Sequence, residues 1–153
     1  MRAQQGDAVM EQSTVVGRVL GTSDATPLQF WVAVTPGAYL QLDDVVVTTR
    51  DLPDGSSVAI AGVVTAVRAR HEGAMFDSDV FAIADGTLPA QIQEAAEITT
   101  TRVDPEVYVP PSPGAVVRRA SGAERDGALY FDRMERRVPV GVGRDGEALY
   151  LNA

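Results

Sequence analysis

A mainly β fold, a small closed barrel of the six-stranded type with helical insertions, is what this sequence predicts. Three observations carry that reading. Runs rich in β-branched and aromatic residues follow one another through the first half: "STVVGRVLGTS", "PLQFWVAVT", "DDVVVTTR" and "SVAIAGVVTAVRARHE". Gly, Pro and Asp punctuate them at short intervals, as turns between strands require. A strand set this short must also manage its exposed edges, and closing the sheet removes them. The length of 153 residues, 45% of them hydrophobic and 22% charged, suits one domain able to bury a sizeable core.

The chain opens with "MRAQQGDAVMEQ", which carries acids and no apolar h-region. Residues 1–13 are therefore expected to be a flexible polar lead-in rather than a signal peptide, ahead of a barrel domain over 14–153. The next stretch, "GRVLGTS", superficially resembles a phosphate-binding loop. That loop needs four residues between its glycines and then a lysine to neutralise the phosphates. Gly17 and Gly21 have only three residues between them, Thr22 stands where the lysine belongs, and all 13 basic residues are arginines. The segment reads instead as a strand, a turn over "TSDATP", and a second strand opened by Pro27, where a missing amide is tolerated.

Pro36-Gly37 marks a further turn, and "DLPDGSS" a loop centred on Asp54-Gly55. In the long strand that follows, Ala59, Ala61 and Gly62 suggest a bend or the close approach of another backbone. The stretch "MFDSDVFAIADGTLPAQIQEAAE", rich in Ala, Gln and Glu, reads as a helical excursion broken at Asp85-Gly86 and Pro89. Strand character returns in "ITTTRVDPEVYVP", with a break at Pro105, and "PPSPG" is a stiff turn or extended linker. Ser121 and Glu124 stand at capping-box spacing, so a helix is expected over "SGAERDGALYFDRMERR", with Tyr130 and Met134 on one face. The last piece, "VPVGVGRDGEALYLNA", reads as a hairpin around Arg144-Asp145-Gly146.

Little here supports catalysis. The absence of cysteine rules out disulfides, thiolate metal sites and thiol chemistry, and agrees with a cytoplasmic setting. No run of about 18 apolar residues is present to span a membrane. Asp43-Asp44 would diverge on a strand and so reads as a solvated loop. Asp77 and Asp79 have calcium-loop spacing without the remaining ligands, and His71 is the one histidine. No catalytic, cofactor-binding or metal residue is assigned, and an enzyme reading has no motif behind it.

Binding residues are a different matter. The net charge of −8 opposes nonspecific nucleic-acid binding by the whole surface. It is unevenly spread: 15 acidic and 6 basic residues up to Glu106, then 6 acidic and 7 basic. The second part holds the pairs Arg118-Arg119 and Arg136-Arg137. These are either solvated surface arginines or forks that meet carboxylates or phosphates at a subunit boundary. Strand alternation puts one of Phe30 and Trp31 in the core and the other outside, where it either buries at a subunit contact or stacks a base.

With the strands laid out, "VVGRVLGTSDATPLQFWVAV", "YLQLDDVVVTT", "GVVTAVRARHEGAMFDSDVF", "VYVPPSPGAVVRR" and "ALYFDRMERRVPVGVGRDGEALYLN" resemble the N-terminal region of bacterial HerA-like ATPases, hexameric DNA translocases. The resemblance runs from about Val15 to the end and lies in overall pattern rather than a chemical signature. It implies a HAS barrel that helps assemble a homohexameric ring and docks a nuclease, such as a NurA-type enzyme, or an antiphage effector, with DNA passing through the full-length ring. ATP and magnesium would bind only in an ATPase core expected to follow "LYLNA", so this chain itself carries no cofactor and no membrane partner. Under this reading Phe30, Trp31, Arg118, Arg119, Arg136 and Arg137 are candidates for subunit or partner contacts. The alternative is a free-standing nucleic-acid-binding barrel that stacks bases on Trp31.

Overall fold

Val15–Val19 (β1), Gln29–Val34 (β2), Val45–Asp51 (β3), Ser57–Glu72 (β4), Gln91–Asp104 (β5) and Val116–Arg119 (β6) close into a barrel in the order β1-β2-β5-β4-β3-β6. All six neighbouring pairs are antiparallel. The structure is a computed structural model and describes residues 15–153; the lead-in expected at 1–13 lies outside the described residues. Among the described residues, two short helices, Asp79–Ala84 (α1) and Gly122–Ala128 (α2), a 3-10 turn at Phe131–Arg133, and a hairpin of Arg137–Val142 (β7) with Ala148–Asn152 (β8) complete the fold.

Alternation along the strands fills the barrel. Phe30 and Val32 of β2, Val58, Ile60 and Val64 of β4, and Ala96 and Ile98 of β5 all point inward and are almost wholly buried. The two long connections seal the ends. Residues 35–44 bring Leu40 against the core at one end, while 105–115 bring Val109, Pro111 and Ala115 to the other. Gly62 makes the close approach its sequence context suggested. A β-carbon there would stand 2.6 Å from both Ile98 Cγ2 and Thr99 O, beside a register shift that bends β4 against β5.

The uninterrupted Val45-Val46-Val47-Thr48 run is buried on both faces. Val46 points into the barrel, while Val45 and Val47 lie under Ala120 and Ala128, because α2 packs on the outer wall. Thr48 is satisfied by donating its hydroxyl to Val116 O at 2.9 Å.

Two expectations need correction. The helical excursion shrinks to six residues, and Gln91–Glu97 is strand, registered against Glu72 back to Ala66. Helix propensity in "AQIQEAAE" amounts to tenths of a kilocalorie per residue, about 0.7 kcal/mol at most. A complete ladder along a strand already running to Glu72 outweighs it. The capping box also fails to form. Ser121 is the N-cap but makes no side-chain cap bond, Glu124 turns to Arg118, and Glu147 Oε1 accepts the Gly122 amide at 2.7 Å. α2 then ends at Ala128, and Tyr130 takes a left-handed φ of 60°, so Tyr130 and Met134 share no helix face.

Candidate interaction surface

The six residues singled out from the sequence do not converge on one site. Phe30, one of the expected contact residues, is 1% exposed and opposite Ile98, so it is a core residue; the outer place falls to Trp31. Trp31 is half-buried, with the Arg68 guanidinium 4.2 Å from its ring centroid and Glu97 opposite it in register. A cation already covers the indole.

Arg118 and Arg119 are engaged within the chain. Arg118 pairs with Glu124 at 3.1 Å, and Arg119 donates to Tyr39 O and stands 3.5 Å from Asp44. Arg137 lies over the Tyr150 ring at 4.3 Å, with Asp126 at 3.9 Å. Arg136 differs. Its backbone amide donates to Asn152 Oδ1, and its exposed side chain has no ion-pair partner among the described residues.

Charge locks the hairpin onto the barrel. Its tip reaches the barrel end through Arg144, 3.4 Å from Asp44, which also accepts the Gln41 amide at 3.0 Å. Beneath it, the buried Arg125 of α2 lies 2.8 Å from Asp145 and 3.1 Å from Glu147. At the hairpin base, Arg102 of β5 donates to Asp132 and to Gly127 O, both at 2.8 Å. That hydrogen bond holds the Asp132 carboxyl below the usual carboxylate range. An open cleft of about 700 Å³ between the tip and the 37–45 segment includes Tyr39, Asp44, Arg119, Arg144 and Glu147 in its lining. Its charges are largely paired with one another, which suits a structural seam better than a ligand site. Among the described residues no three His, Cys, Asp or Glu side chains are grouped to hold a metal ion, and no helix is long and apolar enough to cross a membrane.

The surface that stands out was missed in the sequence. β4 and β5 run on past the barrel end as a two-stranded arm, Ala69–Glu72 against Gln91–Glu94, capped by α1. Met75, Phe76 and Phe81 at its tip are 84%, 69% and 73% exposed, with Val80 and Ile92 exposed beside them. α1 has no buried residue. This display is held in place: Asp79 Oδ2 accepts the amides of Met75 and Phe76, both at 3.0 Å, so the carboxylate that fits calcium-loop spacing serves as a turn clasp. The signal lay in "RARHE", a polar strand end. Polar residues on both faces mean that the strand has left the core, so the "AMFDSDVF" after it has no core to enter.

Fold and surface together define a small closed antiparallel β-barrel bearing an apolar-tipped arm and a clasped hairpin. No protein-family model matches the chain, and no curated protein matches it in sequence.

Proposed function

We propose that this barrel is the assembly and partner-docking module of a HerA-like hexameric ATP-dependent DNA translocase in the cytoplasm. It works with a nuclease or effector in DNA-end processing or antiphage defence, and performs no catalysis of its own. The exposed apolar tip of the arm carries this reading. Three large apolar side chains held in solvent by a defined turn are the mark of a surface that meets another protein. The closed barrel and the sequence resemblance supply the HAS-type context. The module's mechanism is geometric: barrels side by side position the motors above a DNA channel, and ATP and magnesium belong to the motor core.

A base-stacking role for Trp31 has less support, since Arg68 covers the ring and Glu97 lies opposite it. The gene read past the codon for Ala153 tests the proposal. An open frame carrying a G-x4-G-K-[ST] segment is the expected result. A stop codon directly after Ala153 overturns the translocase reading.

A further inference from the structure

The molecule carries a second uncovered apolar surface. On the hairpin, Val138 and Leu151 oppose one another in register and are both exposed, and Val140, inside the register shift that follows, and Val142 beyond it are exposed as well. The rims of the two surfaces have opposite charge. Residues 71–94, which form the arm tip, contain Glu72, Asp77, Asp79, Asp85 and Glu94 and no arginine. Residues 133–142, which border the hairpin surface, contain Arg133, Arg136 and Arg137 against the single acid Glu135.

We propose that the acid-rimmed arm tip of one chain docks on the arginine-rimmed hairpin of a second copy of the same chain. The proposal rests on the assembly reading and names the contact that would build it. Charge complementarity selects this occupant. Two arm tips facing each other would set carboxylates against carboxylates, which disfavours a two-fold arm-to-arm dimer. A nucleic acid on the arm would meet the same repulsion from its phosphates. Within one molecule both surfaces stay exposed, so they do not cover each other.

Arm-to-hairpin docking is heterologous. Each copy keeps one unused arm and one unused hairpin, so the contact repeats until a ring closes. Met75, Phe76 and Phe81 offer roughly 500 Å² at the 150–250 Å² typical of large side chains. That falls short of the about 800 Å² per partner found in stable complexes. A single contact is therefore weak, and closure into a ring supplies the remaining stability.

Sedimentation velocity on the 153-residue chain, up to about 500 µM, tests this. Concentration-dependent association that weakens with added salt is expected. Phe81→Glu should abolish it with an unchanged circular dichroism spectrum, because α1 buries nothing. The arm variant Asp77→Arg/Asp85→Arg and the hairpin variant Arg133→Glu/Arg136→Glu should each associate at least about tenfold more weakly than the parent. Mixed together, they should regain association as alternating copies in equal numbers, because the reversed arm of one meets the reversed hairpin of the other and the unchanged arm meets the unchanged hairpin. A chain that stays monomeric throughout, or mixed variants that fail to associate, overturns the contact. Rings that form equally well with Phe81→Glu also overturn it while leaving the assembly reading in place. Association that needs Phe81 in a protein whose gene encodes no motor sinks the translocase reading alone.

Discussion

Arg125 Nε lies 2.8 Å from Asp145 Oδ2, and the guanidinium is 6% exposed while the carboxylate is about half open to solvent. One buried cation thus ties the hairpin turn to the helix on the barrel wall. Glu147, 3.1 Å away, completes the clasp and also accepts the first amide of α2. Nη1 has no hydrogen-bond partner among the described residues, so the clasp is held by coulombic attraction more than by aligned hydrogen bonds. Asp43, Asp44 and Arg144 line a second cleft together with Arg125 and Asp145.

Arg125→Met should therefore loosen the hairpin before the barrel. Removing one partner of a buried pair costs about 3–5 kcal/mol when the other stays buried. Both acids here can rehydrate, so a loss of about 2 kcal/mol is expected in urea unfolding. Hydrogen exchange should show β7 and β8 amides opening well ahead of those in β4 and β5. Equal acceleration in both regions would mean that the hairpin is not a separate unit.

The Gly62→Ala variant probes the tightest point of the barrel. Its new methyl would sit 2.6 Å from Ile98 Cγ2 and from the Thr99 carbonyl, and a backbone oxygen cannot rotate away. A cost of about 2 kcal/mol follows from overpacking of this kind. A shift in the urea midpoint worth less than about 0.5 kcal/mol would show that the β4–β5 bulge gives way easily.

Trp31 is the only tryptophan, so its fluorescence reports directly on the Arg68 contact. Arg68→Ala should red-shift the emission and increase iodide quenching. The stability change should stay within about 1 kcal/mol, as befits a partly exposed cation–π pair. An unaltered spectrum would place the guanidinium elsewhere in solution.

Acid sensitivity should pass in part through Asp132. Its hydrogen bond from Arg102 depresses the folded-state pKa, so the pair stabilises the fold above the unfolded pKa of about 4. That contribution is lost as pH falls through the lower folded value. Parent and Asp132→Asn should therefore differ by a constant amount between pH 6 and 8, in round figures about neutral, and converge in acid. A gap that persists to the lowest pH would assign the difference to packing instead of charge.

How far the sequence could be read varies from element to element. Phe30 and Val32 are inward and Trp31 outward as alternation requires, and "DDVVVTTR" became β3 with its aspartates in the preceding turn. Gly62 was legible as a close approach, and Arg144-Asp145-Gly146 as a hairpin turn. The capping box was not, because Glu124 had a choice of partners and the fold brought Arg118 to it. The arm was missed because "QIQEAAE" has local helix propensity, while its strand state comes from pairing with residues 66–72. The arginine pairs looked alike as dipeptides. Their environments then separated them into paired Arg118, Arg119 and Arg137 and the outward Arg136.

By itself the sequence determined most of the strand-forming segments, their inward faces and their turns, because each of these depends on neighbours within a few residues. Tertiary structure alone decided the closure order, the reach of the arm past the barrel end, the Arg125 clasp and the two oppositely charged apolar surfaces. Those depend on which distant segments share a ladder, and that follows from burying one common core rather than from any local preference.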